Sequence, residues 1–142
     1  MILLDTNVIS AFMKQEPDQA IMAWLDTQPL ESLWITAITV FEIRVGIELL
    51  ASGRRRQVLE EAFGKSLELD LEGRIISFDE SAAQAAGRIA AARRKIGRSL
   101  EIRDVQIAGI AVARKAKIAT RNVRHFEGLG LELINPWSAQ SN

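Results

Sequence analysis

The sequence has no cysteine, no tyrosine and a single histidine. Without cysteine, disulfides and thiolate metal sites are excluded, and a reducing cytoplasm is the expected compartment. With no tyrosine and aromatics at 6%, a base-stacking surface for single-stranded nucleic acid is poorly supported. An excess of one charge is also missing. Lys plus Arg and Asp plus Glu are both 18, so attraction of the whole molecule to nucleic acid is weak and any basic footprint has to be local. No apolar run approaches the ~20 residues needed to span a bilayer, so no membrane association is expected. The alanine-rich stretch around 82–92 is broken by Gln84 and Arg88. The start carries no basic stretch followed by a long apolar one, which argues against a signal peptide. Internal repeats, linkers and low-complexity segments are absent.

The 142 residues, 48% of them hydrophobic, suffice for one domain over 1–142 with a core of its own. Residues 1–5 read as a short buried strand and 6–13 as a helix. Pro17 suits the first turn of a second helix over 18–27, with Ile21, Trp24 and Leu25 on its apolar face. "LWITAIT" (33–39) mixes β-branched and aromatic residues and reads as a strand. Val40–Leu50 is apolar nearly all round, which predicts a buried helix ended by Ser52-Gly53. A helix from Arg54 toward Leu69, a strand at 74–78 and a helix from the Asp79 cap to about Ile96 follow. Residues 102–116 form another apolar helix, and 117–121 and 131–135 the last strands. Strands alternating with helices predict a mostly parallel sheet covered on both faces.

In such a sheet ligands bind beyond the carboxyl ends of the strands. Asp5 stands at the end of the first strand. Glu42 falls in the first turn of the helix after the second strand, and Asp104 in the first turn of the helix before the fourth. Arg121-Asn122 follows the fourth strand. Each acid has a plainer reading: Asp5 as an acceptor for its own turn, Glu42 and Asp104 as complements to helix N-termini. Against that, Glu42 interrupts "AITVFEI" and Asp104 interrupts "IRDVQIAGIAV". An acid on a buried helix is expensive unless paired, protonated or metal-bound. Three carboxylates brought together repel, and a divalent cation removes the conflict. Oxygen ligands favour Mg²⁺ or Mn²⁺ over Zn²⁺. Mg²⁺ takes few carboxylates plus substrate phosphate oxygens, which points to phosphoryl chemistry.

"LLDTNVIS", "SLWITAITVFEIRVGI", "IRDVQIAGIAVA" and "ATRNVRHFEGLGLELINPW", in this order over nearly the whole chain, resemble the PIN-domain ribonucleases. The resemblance is closest to the toxin half of VapBC-type toxin–antitoxin pairs, in the FitB-like subgroup. It implies an α/β/α three-layer sandwich with a central sheet of four to five strands. It implies a Mg²⁺- or Mn²⁺-dependent endoribonuclease acting on a structured RNA such as tRNA. It further implies a homodimer and a cognate DNA-binding antitoxin of the VapB or FitA kind, with a higher assembly between them. Asp5, Glu42 and Asp104 would be the catalytic metal ligands, with Thr6 and Asn7 shaping the site around Asp5. Where family members usually place a fourth aspartate this chain has Asn122 and His125. Asn122 can donate to a phosphate, and His125 can serve as a neutral nitrogen ligand or proton carrier. Either three acids and a metal suffice, or the site is weak and the chain is a silent module that captures antitoxin or RNA. A small phosphatase or flap-type nuclease on a similar acidic sheet is a third possibility.

Three cationic clusters stand out: Arg54–Arg56, Arg93-Arg94-Lys95 with Arg98, and Arg121 with Arg124. A charge run is usually a solvated face. Arg121 and Arg124 carry more weight because they flank the proposed site and are placed to hold RNA phosphates. Trp24, Trp34 and Trp137 are expected in the core or at an interface.

Overall fold

A computed structural model describes residues 1–138; the last four residues of the expected domain lie outside the described residues. β1 (Ile2–Leu4) leads into α1 (Thr6–Met13) and α2 (Gln19–Asp26). β2 (Leu33–Thr36) is followed by α3 (Ala37–Glu48) and α4 (Arg54–Lys65), which continues into a π-helical turn at Ser66–Asp70. β3 (Ile75–Ile76), α5 (Glu80–Lys95), α6 (Ile102–Arg114), β4 (Lys117–Ala119) and β5 (Leu133–Ile134) complete the order. The five strands lie in the order β3-β2-β1-β4-β5. Every pairing among them is parallel, with Leu3 opposite both Trp34 and Ile118. The sheet is bordered by its two shortest strands, two residues each.

Side-chain alternation along β1 divides the core. Ile2 and Leu4 point to one face and Leu3 to the other, as a period of two requires. The first face is covered by α1–α4 through Val8, Ile9, Ile21, Trp24, Ile43, Ile47 and Phe63. The second is covered by α5 and α6 through Ala82, Ile107, Ala108, Ile110 and Ala111. Three layers, α/β/α, result. The α5–α6 contact is the tightest. A Cβ added to Gly109 would stand 2.5 Å from the Ala82 carbonyl oxygen and 2.6 Å from the Ala86 Cβ.

Several expected boundaries move. Helix α2 starts after Asp18 instead of inside Pro17, because the Asp18 carboxylate accepts from the Ala20 amide at 2.9 Å and caps it. β2 stops at Thr36, whose hydroxyl accepts from the Thr39 amide at 3.1 Å and starts α3 three residues early. Glu42 is therefore in the second turn of α3, not the first. This helix is not buried all round: Phe41 is 58% and, just past its end, Leu49 is 81% exposed. Gly53 does not end α3 but precedes α4 as its N-cap residue. The strand read at 74–78 shrinks to two residues.

Candidate active site

β1 and β4 are neighbours, so their carboxyl ends lie side by side. Asp5 follows one and Thr120 the other. The Thr120 hydroxyl donates to Asp5 Oδ2 at 2.7 Å, and the Asn7 amide donates to the same oxygen at 3.2 Å. The Thr6 backbone N–H donates to Oδ1 at 2.9 Å. Asp5 is only 7% exposed. It caps α1, so the plainer reading of this residue is realised, and it faces a cleft as well. Asn7 ties the two strand ends together, since its Oδ1 accepts from the Arg121 amide at 3.0 Å. The Thr120 oxygen in turn accepts from the Asn122 amide at 3.0 Å.

Glu42 arrives from α3. Its Oε1 accepts from the Thr6 hydroxyl at 3.0 Å, and its Oε2 lies 3.8 Å from Arg103 Nη1. Arg103 does not turn toward its own neighbour Asp104 but reaches across to Glu42 and back to Glu101. Asp104 arrives from the first turn of α6, with His125 Nδ1 3.1 Å from its Oδ2. Asp5, Thr6, Asn7, Glu42, Asp104, Arg121, Asn122 and His125 all line one open cleft of about 600 Å³. Arg124 does not line it and faces an adjoining groove.

Site residues that escaped the sequence reading include Thr120, buried against Asp5, and Asp18, Glu101 and Trp137 in the cleft wall. Trp137 packs partly buried against the core, as expected, and also forms part of the cleft wall. Its Nε1 donates to Asp18 Oδ2 at 3.1 Å, and its ring carries the Arg121 guanidinium 3.8 Å from the centroid. The hydrogen bond from Trp137 holds the Asp18 carboxyl below its ordinary value, with help from the Ala20 and Ile21 amides. Arg121 is thus seated on an indole that is itself pinned. Thr120 was visible in principle, as the residue at a strand's carboxyl end.

The PIN-domain family matches residues 2–129. The chain belongs to that family. Among its relatives is the plasmid stability protein StbB of Pseudomonas syringae pv. tomato, 42% identical over 139 residues, 98% of this chain and all of the relative. Another is the VapC ribonuclease Y4jK of Sinorhizobium fredii, 40% identical over 137 residues, 96% and 98% of the two chains. Among solved structures, FitAB bound to an IR36 DNA fragment superposes with a TM-score of 0.87 at 37% identity, covering 96% of each chain.

The donor set of this PIN domain suits a hard cation. A carboxylate offers about four lone-pair sites; Asp5 uses three, and Asp104 Oδ1 has no partner among the described residues. No three His, Asp or Glu side chains among the described residues form a ready-made cage. Burial raises the proton affinity of Glu42; the charges of Asp5 and Asp104 add to it, while the Thr6 hydroxyl and Arg103 oppose it. Burial likewise raises Asp104, with the Asp5 and Glu101 charges in the same direction and His125 against.

These shifts have a sign. Between its ordinary value, 4.5 for Glu42 and 3.8 for Asp104, and its raised folded value, each carboxyl binds more protons folded than unfolded. Stability therefore falls as pH rises through that window, and the loss is complete above it. Glu42→Gln and Asp104→Asn remove the burdened charge. Each variant is expected to melt a few degrees above the wild type at pH 7 in chelator, with the advantage shrinking toward pH 4. Thermal melts at the two pH values check this, and a wild type more stable than both variants at pH 7 contradicts it.

Proposed function

We propose that the chain is the toxin of a type II toxin–antitoxin pair: a metal-dependent endoribonuclease that cuts RNA phosphodiester bonds and is neutralised by a cognate VapB- or FitA-like antitoxin. The supporting observation is that Asp5, Glu42 and Asp104, from three distant segments, line one cleft beside Arg121. These three carboxylates would hold Mg²⁺ or Mn²⁺. A bound divalent cation supplies a water of lowered pKa and stabilises negative charge on a phosphate. The remaining chemistry belongs to the chain. The Thr6 amide, Asn7 and Thr120 fix the Asp5 carboxylate before substrate arrives. Arg121, held on Trp137, presents a guanidinium to a phosphate. His125 orients Asp104 from the place where the family usually has an acid.

A structured RNA such as tRNA is the proposed substrate, and the cytoplasm the proposed compartment. Among the described residues no helix is long and apolar enough to cross a membrane. Phe41 on α3 and Ile102 on α6, with Leu49 and Ile96 just past the ends of α3 and α5, are exposed apolar side chains that support a homodimer and an antitoxin contact. The purified chain is expected to cleave total RNA or tRNA with Mg²⁺ or Mn²⁺ and to stop when the ion is chelated. The absence of a preformed three-ligand cage favours one other reading, a silent module. It gives tight antitoxin binding and no cleavage with either ion.

A further inference from the structure

Behind the cleft runs a second open groove, about 690 Å³, between the last turns of α5 and the connection after β4. Arg88, Arg93 and Arg98 line it from one side and Arg124 from the other; Glu127 is its one acid. Elsewhere some of the cations are neutralised among the described residues. Arg44 and Arg56 pair with Glu48 and Glu60, Arg114 with Asp79 and Lys117 with Glu132. The Arg88, Arg98 and Arg124 guanidinium groups have no acid or carbonyl partner among the described residues; the Arg98 backbone N–H donates to the Arg93 carbonyl. Arg93 donates to the Glu127 carbonyl, yet its Nε–H is buried without an acceptor. From the sequence Arg93 and Arg98 read as part of a solvated helix face, and Arg124 as a residue flanking the site. The fold instead converges them, from two segments far apart in the chain, on one concavity.

We infer that this groove is a phosphate-binding track that holds the RNA backbone after it leaves the cleft. The inference rests on the nuclease reading for the identity of the polyanion. Continuity favours RNA. The 3-10 turn Val123–His125 separates the two concavities, with His125 lining the cleft and Arg124 the groove. A backbone passing over that turn moves from the three carboxylates to a run of unpaired guanidinium groups. Arginine suits the role because its planar fork meets phosphate oxygens two at a time.

The test compares Arg88→Ala/Arg98→Ala with Arg94→Ala/Lys95→Ala, which removes the same charge from positions of α5 that do not line the groove. Bulk tRNA is titrated against each pair in an Asp5→Asn background at several salt concentrations. The groove pair is expected to bind about tenfold more weakly, with a log–log salt slope shallower by about 1.4–1.8, the release expected from two lost phosphate contacts. The control pair is expected to match the parent more closely in slope. With Asp5 intact, the groove pair is expected to cleave tRNA poorly but a tetranucleotide as well as the wild type does. An unchanged tRNA slope in the groove pair overturns the proposal. So does a selective loss of affinity for the purified antitoxin, which would assign the groove to an acidic protein segment. If the wild type cleaves neither RNA, the nuclease reading fails while the binding slopes still decide the groove.

Discussion

Asp5→Asn is expected to lower kcat/KM for RNA cleavage by about 10³-fold, at the upper end of the ~10²–10³ of a lost oxyanion donor and above the ~10–100 of a lost outer-shell contact. Asp5 is the one charged residue among the buried residues described. Three donors converge on its two oxygens: the Thr6 amide, the Asn7 amide and the Thr120 hydroxyl. Asparagine has the same shape but only one oxygen, so whichever way its amide turns, an N–H faces another donor. The substitution removes a negative charge that a cation needs and disturbs the network that aims the rest. It also relieves Glu42 and Asp104 of a repelling neighbour, so the variant should remain folded. Steady-state kinetics at saturating Mg²⁺, with a melting curve alongside, separates the two effects. Activity within tenfold of the wild type would place the chemistry elsewhere.

Gly109→Ala is expected to be the most destabilising single-methyl change in the chain. The new Cβ would overlap the Ala82 carbonyl oxygen and the Ala86 Cβ, at 2.5 and 2.6 Å. One obstacle is backbone and the other a short, rigid side chain, so neither can swing aside. Overpacking of this kind costs about 3 kcal/mol at the upper end of its usual range, which for a chain of this size lowers Tm by about 6–12 °C. Alanine's better helix propensity works against this by ~1 kcal/mol. An unchanged Tm would mean that α5 and α6 can separate freely. The effect should extend to the cleft, because α6 carries Asp104 one and a half turns before Gly109. Cleavage measured well below the melting temperature should therefore fall too.

Much of this architecture is legible in the sequence, and the exceptions have physical causes. Helix α1 matches its expected span because Asp5 supplies a cap and an apolar stripe follows. Asp79 does the same for α5, accepting from the Ala82 amide at 3.0 Å. β2 was read too long because Ile38 and Thr39 are β-branched, and the Thr36 cap overrides that preference. Composition made α3 look buried; what it cannot separate is core from a surface reserved for a partner, and Phe41 belongs to the exposed side. The convergence of Asp5, Glu42 and Asp104 follows from strand ends and helix starts. Thr120's place at a strand end follows too, but its bond to Asp5 depends on the register of β4 against β1, and the Trp137 contacts depend on where the chain returns after β5.

The two-residue margins of the sheet have a consequence for assembly. An outer strand of two residues exposes too few free amides and carbonyls to template another chain. Extension by a donated peptide, edge to edge, is therefore closed off on both sides. Whatever embraces this molecule must read side chains on its flanks, so recognition is a matter of shape and surface chemistry that point substitutions can redirect one residue at a time.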